Sequence, residues 1–379
     1  MADLSSNYLY SKPRILMVSQ RNISPNDLWR CPHYEFEDII CKIDSVELLN
    51  PIPENYFNIR NRIAQRVARH SKIALNTGVS KIKLKNGYDM LFLFCSFPRD
   101  LLNLNITNNW KDYCKTSVCL VDEIWVNQVL KQKCYMKLLS KFDHVFLYYS
   151  QSIKAVSESI GKMCLFLPPG IDTIKFCPYP EPPKRVIDVY NIGRRSEVTH
   201  KKLLEIARES NIFYIYDTLS KAKAINSIEH RSLFANIAKR SRFFIVNPGL
   251  IDRPDIRGNQ IEVPNRYYEG ASSGCILIGE IPKNEVFESQ FNWPDSVIHL
   301  PYDSDNIEEI INEFDENTDR EDDIRRTNIV QSLRRHDWVY RWEAVLKTVG
   351  LEPMQGLFTR KNELHVLAKI VEETNNIRK

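Results

Sequence analysis

The chain reads as an α/β protein of two doubly wound, Rossmann-like domains, and three observations predict this. Near-continuous apolar runs such as Tyr88-Asp-Met-Leu-Phe-Leu-Phe-Cys95 alternate with helix-length segments, the pattern of parallel strands covered by helices on both faces. The alternation occurs twice, before and after a stretch made stiff by Pro178, Pro180, Pro182 and Pro183. At 379 residues the chain also exceeds what one hydrophobic core usually organises. We therefore divide it into a first domain over 1–180, a second over 181–335, and terminal helices over 336–379.

In the first domain, Arg14-Ile-Leu-Met-Val-Ser19, Tyr88 to Cys95, and Ser117-Val-Cys-Leu-Val121 are expected as buried strands, with helices around 56–74 and 127–141. His144-Val-Phe-Leu-Tyr-Tyr149 and Met163-Cys-Leu-Phe-Leu167 continue the series until Pro168-Pro-Gly170 stops it. The second domain opens with Val186-Ile-Asp-Val-Tyr-Asn-Ile192 and a helix near 199–209, followed by Ile212-Phe-Tyr-Ile-Tyr216 and a helix near 230–239. Arg242-Phe-Phe-Ile-Val246 and Cys275-Ile-Leu-Ile278 supply two further strands. Residues 306–326 are acidic with helical spacing, a solvated face. From Arg335 to Leu346 one helix is expected, with Trp338, Trp342 and Leu346 on a common stripe that belongs to a core.

Composition narrows the class. An apolar fraction of 43% with 26% charged residues belongs to a soluble globular protein. No apolar run is long enough to cross a bilayer, and Met-Ala-Asp-Leu-Ser-Ser lacks the order of a secretion signal, so a cytoplasmic location is expected. Nine cysteines without a Cys-x-x-Cys pair read as buried free thiols, and no metal site is expected. The net charge of +4 does not call for a nucleic-acid partner, but its distribution is uneven. Between Glu54 and Asp89 there is no acid, while Arg60, Arg62, Arg66, Arg69, Lys72, Lys81, Lys83 and Lys85 are all present. With Ile59, Ile63 and Val67 between these cations, residues 58–72 form a basic amphipathic helix. Such a helix is either a solvated face or a surface that meets an anionic acceptor or anionic lipid, the latter as a peripheral contact with the inner face of a membrane.

The chemistry is expected where strands end and helices begin, in a cleft between the two domains. Asn265-Arg-Tyr-Tyr-Glu-Gly-Ala-Ser-Ser-Gly-Cys-Ile-Leu-Ile-Gly-Glu280 joins a short helix to a buried strand through small residues, with Gly274 as the helix stop. Two readings of Glu269 stand side by side here. Either it accepts hydrogen bonds from a pair of sugar hydroxyls, or it is an exposed acid on a helix packed tightly against the sheet. Asn191-Ile-Gly-Arg-Arg-Ser196 ends a strand with Gly193 and then presents Arg194 and Arg195, with Lys201 and Lys202 in the next helix, a set suited to a diphosphate. Asn247, at the end of another strand, and Tyr268, beside Glu269, complete the expected donor pocket. The turn after the first strand, Ser19-Gln-Arg-Asn-Ile-Ser24, has no glycine, and no Gly-x-x-x-x-Gly-Lys-Ser/Thr occurs, which excludes dinucleotide and P-loop signatures. There is also no Asp-x-Asp pair to chelate a divalent ion on a diphosphate.

Leu167-Pro-Pro-Gly-Ile-Asp-Thr-Ile-Lys-Phe176, Asn191-Ile-Gly-Arg-Arg195 and Arg266-Tyr-Tyr-Glu-Gly-Ala-Ser-Ser-Gly274, in that order, resemble the motif set of the two-domain GT-B glycosyltransferases. They are most similar to the spore-maturation (CgeB-like) branch of the large retaining nucleotide-sugar family, over about residues 115–350. The resemblance implies that the terminal helices cross back to the first domain. It also implies that Glu269 binds the nucleotide ribose, that Arg194 meets the diphosphate, that Lys201 matches more loosely the lysine that follows, and that Arg266 is the arginine of an Arg-x-x-Glu form. The sequence departs from the wider family at Ile261, where a second glutamate is common and the nearest acid is Glu262. It departs again at Val121-Asp-Glu-Ile-Trp125, where many relatives carry His-Asp. Asp122 and Glu123 either face the cleft and position an acceptor hydroxyl or cap a helix.

The expected reaction is transfer of a sugar from a nucleotide-diphosphate donor to an acceptor hydroxyl on a saccharide, lipid or protein. Arg194, Arg195 and Lys201 would stabilise the leaving diphosphate with no metal and no further cofactor. Retention of configuration is what the family implies. Two alternatives stay open: a nucleotide-sugar epimerase, and a non-catalytic sugar-nucleotide-binding scaffold that docks through the basic helix.

Overall fold

The computed structural model describes residues 12–107, 109–209, 212–218 and 223–374. It contains two compact α/β units, each built from three segments of chain. The first comprises 1–25, 37–167 and 345–357, and the second 26–36, 168–344 and 358–379.

The first unit holds six parallel strands: β1 (Ile15–Val18), β2 (Val46–Leu49), β3 (Tyr88–Cys95), β4 (Cys114–Val121), β5 (His144–Leu147) and β6 (Leu165–Phe166), in the order β2-β1-β3-β4-β5-β6. The central strands β3 and β4 run in long register from Tyr88 opposite Cys114 to Cys95 opposite Val121; β3 is buried almost throughout and β4 from Ser117 onward. The expected strands are therefore present. The sheet also includes β2, whose Glu47 hides it from an apolar scan and accepts a hydrogen bond from the Tyr88 hydroxyl at 2.6 Å. The helix expected over 127–141 is two short ones, Val126–Val129 and Lys133–Leu139. The one expected over 56–74 is Phe57–His70.

The second unit holds five parallel strands: β7 (Ile187–Asn191), β8 (Tyr214–Tyr216), β9 (Ser241–Val246), β10 (Ile276–Gly279) and β11 (Ile298–His299), in the order β11-β10-β9-β7-β8. Alternate residues of each strand feed different cores, as the two-residue period of a strand requires. Tyr190, Phe244, Val246 and Leu277 pack with Phe234, Tyr267, Tyr268 and Ala271 on one face. Val189, Phe243, Ile245, Ile276 and Ile278 pack with Leu203, Ile307, Ile311 and Phe314 on the other.

The expected helix from Arg335 to Leu346 is interrupted, because His336 and Asp337 separate the helix Thr318–Arg335 from the helix Trp338–Val349. Asp337 is spent on another job: its Oδ2 accepts from the Thr173 amide at 3.0 Å and the Thr173 hydroxyl at 2.8 Å. Trp338, Trp342 and Leu346 are fully buried, with Trp338 stacked on Phe36 at 4.6 Å between ring centroids. All nine cysteines are free thiols; seven are buried, Cys114 is half-buried and Cys41 is exposed. Among the described residues no helix is long and apolar enough to cross a membrane.

Candidate functional site

In a doubly wound sheet the crevice forms where strand order reverses. In the second unit this lies between β7 and β9, because the chain moves from β7 outward to β8 and then returns to place β9 on the other side. The residues that follow those two strands therefore form the candidate site.

After β7 the chain turns at Gly193 with φ +88, a left-handed conformation that side chains disfavour, and a β-carbon added there would meet nothing within 4 Å. The turn is thus open on its outer side, where a ligand can approach the backbone. Its amide donates to the Asp217 carboxylate at 3.1 Å. Arg194, half exposed, places Nη1 2.9 and 3.1 Å from the two oxygens of Asp252. Arg195 donates to both the carbonyl and the carboxylate of Asp217 at 2.7 Å and lies over the Tyr216 ring. Ser196 then closes the turn: its hydroxyl accepts from the Thr199 amide at 3.3 Å, capping the helix Glu197–Glu209, and donates to Asp303 at 2.8 Å. Lys201 does not join this group. It points into solvent from that helix, with only Glu205 4.0 Å away.

After β9, Asn247 accepts the Glu280 amide at 3.4 Å and so links the ends of β9 and β10. Gly279 makes this closeness possible. A β-carbon there would stand 1.8 Å from the Val246 carbonyl oxygen, at φ +153.

The helix Asn265–Ser272 is packed tightly against the sheet. The small residues seat the helix. A β-carbon on Gly270 would lie 2.4 Å from Leu277, and one on Gly274, at φ +67, would lie 2.6 Å from Ile329. Glu269 is not an exposed acid. It is fully buried, with Oε1 2.5 Å from Arg231 and Oε2 2.6 Å from Arg266. Burial alone would raise its carboxyl, but the two guanidiniums outweigh this and hold it below the usual carboxylate range. Tyr268 is likewise placed in the core, its ring against Phe291 and His336.

Glu269 belongs to a chain of buried charges that sequence reading missed. Arg231, 2% exposed, also holds Glu35 through Nε at 3.0 Å. Glu35 in turn accepts from the Asp172 amide, the Trp338 indole and Lys175 at 3.0, 3.1 and 3.2 Å. Burial would raise Glu35, yet Arg231 and Lys175 bring it down to about 2. Arg360 closes the series by bridging Asp172 and Asp337 at 2.7 Å. Four acids (Glu35, Glu269, Asp172, Asp337) thus face four cations (Arg231, Arg266, Lys175, Arg360). The signal that could have found the missed pair is a charge on an apolar ridge. Glu35 lies one turn before Ile39, and Arg231 one turn before Phe234 and Ala235, all of them buried. Of the eight, Arg266 is the most open, with 35% of its side chain exposed and its guanidinium over Phe234.

Asp122 follows β4 in the first unit. It is half-buried, and its amide donates to the Cys95 carbonyl at 2.9 Å. The neighbouring Glu123 accepts from the Trp125 indole at 2.8 Å.

Residues 194–347 match the glycosyl transferase-like family. No curated protein sequence matches the chain. Among solved structures, an α-glucosyltransferase in complex with UDP is similar at 12% identity and a TM-score of 0.52, covering 89% of this chain and 100% of that one. An α-glucosyltransferase with UDP-glucose and DNA containing an abasic site has 13% identity and a TM-score of 0.51, covering 89% and 98%. The Anabaena protein HepE in complex with UDP-glucose has 11% identity and a TM-score of 0.50, covering 89% and 99%. With two parallel α/β sheets of the same winding and a glycosyl transferase-like segment over most of the second unit, the chain has the GT-B fold.

Proposed function

We propose that the protein is a glycosyltransferase that moves a sugar from a nucleotide-diphosphate donor to an acceptor hydroxyl. The observation that carries this reading is the open left-handed turn at Gly193. It stands at the reversal point of the second sheet with Arg194 and Arg195 next to it, at the start of the segment that matches a glycosyl transferase-like family.

In this reading the Gly193 amide and Arg194 receive the diphosphate, the amide giving up Asp217 and Arg194 giving up Asp252 for phosphate oxygens. Arg195 is tied to Asp217 and shapes the turn. Lys201, free to swing, adds positive charge over the leaving group. Arg266 and Glu269 act as one unit: the buried carboxylate fixes the guanidinium, and the ribose hydroxyls bind at the solvent edge of the pair. The Arg266-x-x-Glu269 spacing is what aligns the chain with the spore-maturation branch. Asn247 borders the donor from the end of β9, and Asp122 is the acceptor-side candidate. As the anomeric bond breaks, negative charge gathers on the diphosphate and the arginines stabilise it without a metal ion. The acceptor oxygen bonds to the anomeric carbon on the face from which the phosphate leaves, and the departing phosphate takes the acceptor proton, so that the configuration is retained.

Calorimetry with UDP, GDP and ADP in the presence of a chelator tests the donor half. One of them should bind, and Arg194→Ala or Arg266→Ala should weaken it by about tenfold or more, the loss of one charge-assisted contact. Absence of binding by all three, or unchanged affinity in both variants, overturns the reading.

A further inference from the structure

The basic stretch between Glu54 and Asp89 takes no part in the donor chemistry, and the fold shows which side of it faces water. The helix Phe57–His70 rests on the first unit through Ala64 and Ala68, both fully buried. On the opposite ridge, at successive spacings of four, three and four, stand Ile59, Ile63, Arg66 and His70, all exposed. Ile59 and Ile63 each keep 52% of their surface in water, on a face where a merely solvated helix would place polar residues.

Apolar exposure continues past both ends of the helix, with Ile52 and Tyr56 before it and Ile73 and Leu75 after it. This framework is fixed by hydrogen bonds. The Ser80 amide donates to the Ile52 carbonyl at 2.9 Å and the Glu54 amide to the Gly78 carbonyl at 2.8 Å, which carries the exposed Lys81 to the same end. Arg60 is engaged by Glu54 at 2.7 Å, and Arg62 turns back to the Asn58 carbonyl. Among the described residues, Arg66, Arg69 and Lys72 have no carboxylate partner.

We propose that this face docks on the surface of an anionic phospholipid bilayer. Tyr56, Ile59 and Ile63 enter the headgroup boundary, while Arg62, Arg66, Arg69 and Lys72 meet the lipid phosphates with their stems laid along the apolar layer. The isoleucines decide the occupant. A nucleic-acid duplex would match the cations but offer little apolar surface to cover these side chains, whereas an anionic bilayer matches both.

The test is co-sedimentation of the full chain with vesicles of phosphatidylcholine alone, and with vesicles in which a third of the lipid is phosphatidylglycerol. Binding is expected only to the anionic vesicles and is expected to weaken with salt. Ile59→Ser/Ile63→Ser and Arg66→Ser/Arg69→Ser should each lower the partition by about tenfold. Because all four residues are exposed, both variants should keep the wild-type melting curve and donor-nucleotide affinity, which separates this test from that of the donor site. No sedimentation with anionic vesicles overturns the proposal. So does a result in which the isoleucine variant binds as wild type while the arginine variant loses a duplex oligonucleotide, the outcome of a nucleic-acid surface.

Discussion

Arg231 serves two buried carboxylates at once, so its removal should be felt as a loss of stability before any loss of binding. Arg231→Met leaves Glu35 and Glu269 without their shared cation and should lower the unfolding free energy by about 3–5 kcal/mol in urea titrations. Arg231→Lys should recover little, because an ammonium cannot reproduce a planar fork directed at two acids. Acid should act on the same unit in two steps. Burial, with a smaller push from Arg341, lowers His336 from 6.5 to about 3, so the unfolded chain takes the proton first. Stability from that residue is complete above pH 6.5 and is lost as the pH falls toward 3. Glu35, lowered from 4.5 to about 2, contributes stability that is complete above pH 4.5 and lost on the way down to about 2. His336→Gln should abolish the upper step in unfolding free energy against pH and keep the lower one. At this scale the sequence named Glu269, Arg266 and Arg194 from their motif. It could not show that Glu269 is sealed by guanidiniums, because Arg231 is remote in sequence and reads as one more charge in a helix.

The strands were the most legible elements, and the reason is visible in β3 and β10. Both are apolar almost without interruption, Asp89 near the start of β3 excepted, because both of their faces are covered, so no partner strand is needed to recognise them. β2 and β11 escaped because one carries an acid and the other is two residues long. The helix Cys31–Ile43 escaped as well, whereas Gln355–Glu373 falls among the terminal helices expected over 336–379. Glycines separate two kinds of turn that look alike in sequence. At Gly279 a β-carbon would collide with the Val246 carbonyl, so Gly279→Ala should cost several times more in melting temperature than Gly193→Ala. Gly193 has only the left-handed backbone to oppose a side chain, for which about 1 kcal/mol is expected. If the proposed donor binds at Gly193, Gly193→Ala should nonetheless weaken nucleotide binding by filling the open side of the turn. A Gly193→Ala protein that melts and binds as wild type would remove that turn from the site.

Across the whole molecule the two sheets repeat one winding, with the order reversing between β1 and β3 in the first and between β7 and β9 in the second. The donor reading makes a prediction at this scale: a nucleotide that binds the native state should raise the melting temperature in a concentration-dependent way, and should fail to do so in Arg194→Ala. Domain class followed from alternation of strands and helices, but the path of the chain between units did not, since nothing in a local pattern reveals that residues 26–36 group with residues 168–344. That grouping has a consequence for synthesis. Glu35 leaves the ribosome 196 residues before the arginine it neutralises, and Arg360 arrives later still. The second unit therefore completes its chain of ion pairs only when the late base Arg360 joins the early acid Glu35. A gene fragment opening at Pro168 would be born with Arg231 holding Glu269 alone, the second of its two counter-ions missing.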